Sequence, residues 1–256
     1  SEKRIFDREA SVSVYSDFGT LSMGRMGGVG SGAGTYDLVL ATADAFDGGD
    51  NNVFGFATSD RYDNMVTYQT PKFAGLQATV QYSFNESSTN TNREGSSAVN
   101  RYASTALTGN FGALNTVLAY EFQNYQSFGT DVNPSVEDGH TVYLGGNYDC
   151  GFAKTFVMGQ YFKGIKAGQL TAITEADANL IDKAGNTESA ADGVKGYGVH
   201  LGTIVPVAGG DLTVAAYFTD FTVEFDNGED GDAKSYAFGA KYEYYLSKRT
   251  SVYKGA

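Results

Sequence analysis

Strand-like stretches with apolar residues at every second position, joined by connections that alternate in length, confine this chain to an antiparallel up-and-down sheet. Leu76, Ala78, Val80, Tyr82 and Phe84 interleave with Gln77, Thr79, Gln81 and Ser83. Tyr236, Phe238, Ala240, Tyr242 and Tyr244 interleave with Ser235, Ala237, Gly239, Lys241 and Glu243. Leu212–Phe218 and Leu118–Phe122 repeat the pattern, the latter against Ala119, Glu121 and Gln123. Successive side chains of a strand point to opposite faces, so each stretch has one apolar and one polar face. Looser versions run over roughly 6–16, 18–26, 61–70, 99–110, 138–149, 152–163, 194–205 and 249–254, making about twelve strands.

Short connections fall at Asp17–Gly19, Pro71–Gly75, Asn110–Gly112, Asp149–Gly151, Ala208–Gly210 and Ser247–Arg249. Long polar ones fall at about 27–60, 86–98, 126–137, 164–193 and 224–233, and the two kinds alternate throughout. All tight turns therefore lie at one end of the sheet and all long loops at the other, as in transmembrane barrels. A soluble sandwich would mix its connection lengths. Gln, Thr, Ser, Lys and Glu crowd the polar faces and suit a water-filled bore. Phe18, Phe73, Phe111, Phe152, Tyr244 and Tyr245 stand near the turns, at the height of an interfacial girdle. The competing reading is an ordinary antiparallel sheet whose Tyr and Phe are propensity choices. The test is the direction of Leu76, Val80, Phe84, Phe238 and Tyr242: outward for a membrane barrel, inward for a dry core. No linker divides residues 1–256, so one partial barrel domain is expected.

Composition narrows the function. Thirty-three glycines disfavour a helical bundle, since each interior helical Gly costs about 1 kcal/mol. A net charge of −12 argues against a nucleic-acid partner. The single Cys150 rules out an internal disulfide and a thiolate zinc site, and His140 and His200 lack metal-ligand spacing. No apolar run reaches about 18 residues, which leaves strands as the only means of crossing a membrane. The opening Ser1–Phe6 contains neither an initiator Met nor an apolar signal segment, so a mature, trimmed or partial chain is expected.

The connection 27–60 carries the candidate site. Its entry, Gly27-Gly28-Val29-Gly30-Ser31-Gly32-Ala33-Gly34, reads as flexible and permissive. Tyr36–Phe46 reads as a short helix with an apolar stripe of Tyr36, Val39, Leu40, Ala43 and Phe46. Asp37 and Asp44 sit together beside the stripe, so a docked helix would aim both carboxylates into open space. Asp47 and Asp50 follow in a Gly/Asn-rich tail. Arg8, Arg25 and Arg61 flank the first three strands, and acids opposed to arginines across a narrow pore would set ion selectivity. Strict alternation places Arg25 with Leu21 and Met23, so an inward Arg25 requires a bulge, for which Gly24 is the candidate; otherwise it sits at the rim. Taken singly, the acids fit a surface loop and the arginines solvated rim charges.

Phe6-Asp7-Arg8-Glu9-Ala10 followed by Asp17–Arg25 resembles the strand–turn–strand that precedes the constriction loop of Gram-negative general porins. Arg61–Pro71 is similar to the strand after that loop, and Tyr245–Thr250 to the turn before the penultimate strands. The resemblance implies an all-β, antiparallel, 16-stranded transmembrane barrel in outer-membrane lipid, assembled as a homotrimer. It implies that 27–60 folds inward, that small hydrophilic solutes and ions diffuse passively, and that no cofactor, metal or catalysis is involved. On this reading Asp37, Asp44, Asp47 and Asp50 charge the constriction, and Arg8, Arg25, Arg61 and Arg101 face them from the wall. The opening strands and the closing strand with its terminal aromatic are missing, so a fragment of the barrel is expected. Two alternatives remain: a surface-binding, adhesin-like barrel, and a barrel enzyme needing a Ser–His pairing that the spacing does not support. Gly28-x-Gly30-x-x-Ala33 lacks the context of a dinucleotide site, and Asp226–Asp232 lacks calcium-loop spacing.

Overall fold

The computed structural model describes residues 8–32, 34–46, 57–84, 101–124, 138–165, 191–225 and 230–255. Twelve antiparallel strands pair in strict chain order among them. They are β1 (Ala10–Ser16), β2 (Gly19–Gly27), β3 (Arg61–Gln69), β4 (Leu76–Ser83), β5 (Arg101–Phe111) and β6 (Leu114–Asn124). The second half comprises β7 (Gly139–Asp149), β8 (Lys154–Ile165), β9 (Ala191–Val207), β10 (Gly210–Phe225), β11 (Asp230–Ser247) and β12 (Thr250–Gly255). The only helix among the described residues is α1 (Leu40–Ala43), and none is long and apolar enough to cross a membrane.

The faces are inverted relative to a soluble protein. On β4, Thr79, Gln81 and Ser83 are buried, whereas Val80 is 52% and Phe84 55% exposed. On β11, Phe238 is 77% exposed while Gly239 opposite is buried. Leu76 is exposed as well, and Tyr242 keeps the phase of Phe238 on its strand. On these strands the apolar residues thus cover the outside of the sheet and the polar residues its inside. On β8 and β10, Phe156, Met158, Phe162 and Phe221 are also buried on the inner face. Each exposed Val, Leu or Phe left in water would forfeit about 1.5–3 kcal/mol, and so continuous an apolar surface needs lipid to cover it. Phe18, Phe73 and Phe152 are exposed beside the tight turns, where the girdle is expected. At the loop end the outer face turns ionic, with Lys195–Glu224 at 2.5 Å and Lys234–Asp220 at 3.3 Å.

Two elements differ from expectation. The connection expected at 224–233 is largely strand, since β10 and β11 pair as far as Glu224 and Asp230. Thr222 donates to Asp232 at 2.7 Å across that extension. Residues 226–229 of the acidic segment lie outside the described residues. The expected helix 36–46 contracts to one turn because its flanks bond elsewhere. The amides of Leu38 and Val39 both donate to Val29 O, at 3.1 Å each, and Asp44 is already extended, with ψ 133°.

Candidate channel constriction

One connection touches the polar face of nine successive strands. From β2, Ser22 meets the Tyr36 hydroxyl at 2.7 Å. Met26, Tyr62 and Met65 close around Tyr36, with Tyr102 stacked on Tyr62 at 4.0 Å. From β4, Gln81 donates to Gly27 O at 3.2 Å. The β5 hydroxyl of Tyr102 accepts from Val29 N at 3.2 Å. On β6, Glu121 accepts from Gly30 N at 3.0 Å. On β7, Asn147 donates to Thr42 O at 2.6 Å, and on β8 Gln160 holds both backbone groups of Ala57, at 3.1 and 2.6 Å. His200 of β9 and Tyr217 of β10 take Ala45 N and the Asp44 carboxylate. Laid flat, these strands would spread over about 40 Å. The sheet therefore curls around the loop, with the loop on its polar, concave side.

Glu121 is the centre of the first anchor. Its carboxylate, 2% exposed, accepts from the Tyr102 hydroxyl at 2.6 Å and the Tyr143 hydroxyl at 2.8 Å besides Gly30 N. A buried carboxylate with three donors is satisfied; with fewer it would be costly. The glycines of the entry serve close approach here. A Cβ on Gly28 would lie 2.4 Å from the Tyr102 hydroxyl and one on Gly30 2.6 Å from that of Tyr143. The entry expected to be flexible is thus packed against the wall, with Val29 fully buried.

Asp44 is the second anchor. Its Oδ1 accepts from the Tyr217 hydroxyl at 2.7 Å and Phe46 N at 3.3 Å, and lies 3.4 Å from His200 Nε2. The His200 ring stacks on Tyr217 at 4.4 Å. Both His200 and Asp44 are closed off from solvent, so no solute reaches this dyad. The apolar stripe docks where Tyr36, Val39, Leu40 and Ala43 are buried. Gly145 on β7 lets α1 come close, since a Cβ there would lie 2.6 Å from that of Ala43.

The candidate charges therefore separate. Asp44 points into the wall and not into open space, while Asp37 is half-buried on the loop. Asp47 and Asp50 lie outside the described residues. Arg8 is exposed ahead of β1. The β1–β2 register runs unbroken through Val14↔Leu21, Val12↔Met23 and Ala10↔Arg25, so Arg25 keeps the apolar-face phase. The irregularity expected at Gly24 lies across from it: Asp63 and Asn64 on β3 both oppose Arg25, with Asn64 at φ 51°. Arg25 consequently pairs with Asp63 at 2.8 Å at the loop-end rim. Arg101 donates to the Tyr82 hydroxyl at 2.8 Å, on the same phase as Val80 and Phe84. Arg61, next to inward Tyr62, falls on the outer phase as well. The register does not place Arg25, Arg61 and Arg101 across the bore from Asp37. Glu121, Tyr102, Tyr143, Gln160, His200 and Tyr217, which do hold the loop, are not marked by any local motif.

Residues 2–256 match the Gram-negative porin family. The chain belongs to that family. An outer membrane porin protein of Bordetella pertussis is 29% identical over 98% of this chain and 66% of its own length. Outer membrane porin protein 32 of Delftia acidovorans is 26% identical over 97% of this chain and 62% of its own. The chain thus spans somewhat less than two thirds of these relatives. Among solved structures, an anion-selective porin from Comamonas acidovorans superposes with a TM-score of 0.63 at 21% identity, covering 98% of this chain and 66% of that one. OmpT of Vibrio cholerae in a loop L8 deletion form gives 0.61 at 16%, covering 97% and 74%. The porin is thereby placed in the outer membrane as an integral β-protein, with its apolar face to lipid.

Proposed function

We propose that this porin forms the greater part of a water-filled channel through which small hydrophilic solutes and ions diffuse across the outer membrane. The observation that carries the reading is the inverted sheet with a connection folded onto its polar side. A polar, loop-narrowed interior keeps a solute hydrated during crossing, so size exclusion filters first and wall charge second. Asp37, with Asp47 and Asp50 beyond the described stretch, supplies acidic charge to the constriction, whereas Asp44 holds it in place. The outer edges of β1 and β12, unpaired among the described residues, pair with further strands to close a 16-stranded barrel, because lipid does not tolerate unpaired backbone. The length of the relatives supports that closure, and three such barrels assemble as a homotrimer. The Comamonas structure, at 21% identity, lends its fold and not its selectivity.

The full-length gene product, refolded and checked by heat-modifiable gel migration, is reconstituted into planar lipid bilayers. Stepwise ohmic conductance and swelling of liposomes in small sugars are expected. Folded protein in an ion-tight membrane would overturn the proposal, and ligand capture without conductance would point to a surface-binding barrel.

A further inference from the structure

A cavity of about 310 Å³ lies on the inner side between α1 and the tight-turn ends of β4 to β8. Lys72, on the β3–β4 turn, and Lys154, at the start of β8, line it together with Gln77, Asn110 and Asn115. No Asp or Glu is among its described lining residues. That is notable in a chain of net charge −12, where a random polar hollow would collect acids. Arg25, Lys195, Lys234 and Lys241, by contrast, each sit within 3.3 Å of a carboxylate. Among the described residues Lys72 and Lys154 have no carboxylate partner. Lys154 instead lies over the Phe156 ring at 5.0 Å, which holds its stem along the wall.

The amides beside the lysines are ordered. Asn110 donates to Asn115, Asn115 to Asn147, and Asn147 to Thr42 O on the loop, in one direction across three strands. Each primary amide has two N–H groups, and this relay uses one from each. Asn110, Asn115 and Asn147 all line the hollow, so the relay fixes their amides along its wall. Two cations and amide donors, with no acid to repel it, complement a small anion and reject a cation.

We infer that this hollow is an anion subsite on the turn side of the constriction, taking small carboxylate or phosphate solutes as they enter or leave the narrow zone. The inference rests on the channel reading for the route that delivers the solute, but binding itself does not require conduction. An anion dwelling between Lys72 and Lys154 occludes current from the turn side, directly beneath α1.

The test uses inorganic phosphate and the full-length protein. Phosphate added on the turn side in potassium chloride is expected to reduce single-channel current more than on the loop side. The double variant Lys72→Gln/Lys154→Gln is expected to weaken that block about ten- to thirtyfold, as for two near-contact charges in a watery site. Lys248→Gln, on the β11–β12 turn away from the cavity, is expected to leave the block unchanged. Calorimetric titration of detergent-refolded protein with phosphate reads binding without a membrane. Binding lost in the double variant supports the subsite even where no current flows, a result that would sink the channel reading alone. Equal phosphate response in wild type and double variant, or an equal loss in Lys248→Gln, overturns the subsite and leaves the channel standing.

Discussion

Replacing Glu121 by Ala removes three hydrogen bonds at once: those from Tyr102, Tyr143 and Gly30 N. A bond to a charged acceptor contributes about 1.5–3 kcal/mol, and the three donors left behind stay enclosed by the docked loop. The contributions are not additive, so a loss of about 3–5 kcal/mol in docking of the loop entry is expected. The cross-strand ladder of β5, β6 and β7 does not involve the carboxylate and persists, so the barrel still folds. At about 1.4 kcal/mol per tenfold, the amides of Val29 and Gly30 exchange at least about a hundredfold faster with deuterated solvent. A loosened entry also widens the bore, so single-channel conductance rises and its flicker increases. Glu121→Gln keeps one acceptor oxygen for Tyr102 and Gly30 and is expected to cost about 1–2 kcal/mol. Protection at Val29 and Gly30 and conductance both unchanged in Glu121→Ala would refute the assignment of Glu121 as the anchor.

Asp37→Asn is expected to shift the reversal potential in a salt gradient toward anions, while Asp44→Asn shifts it less and raises conductance noise. Equal selectivity shifts from the two would show that Asp44 faces the bore. Gly145→Val should push α1 off the wall, because even a Cβ there lies 2.6 Å from Ala43 Cβ and 2.7 Å from Val157 O. Faster proteolysis of the loop with an intact barrel is the readout, and wild-type resistance would count against the packing. Val80→Lys, on the lipid face of β4, should destabilise insertion by about 2–4 kcal/mol, whereas Ser235→Lys on the inner phase of β11 should cost far less. Equal losses in refolding yield into vesicles would invert the assignment of faces.

The outward face was legible because its signal is local. Alternation in Leu76–Phe84 or Tyr236–Tyr244 depends only on the pleat, so each stretch declares its two sides without its neighbours. Tight turns such as Asp17–Gly19 declare the up-and-down order in the same way. The bulge was legible only as a need: Arg25 required one to face inward, but the chain alone could not say that Asp63 and Asn64 would carry it on the partner strand. The short helix was overestimated, because periodicity in 36–46 does not reveal that Leu38 and Val39 amides are taken by Val29 O.

The anchors of the loop belong to the tertiary structure. Asp44 and Tyr217 stand 173 residues apart, and Gly30 and Glu121 stand 91 apart. Nothing at either position marks the other, and only the register from β6 to β10 and the curl of the sheet bring them within bonding distance. Which side meets lipid is decided residue by residue along each strand. Which acid fastens the loop is decided by contacts between strands, and these exist only once the sheet has curled around its own connection.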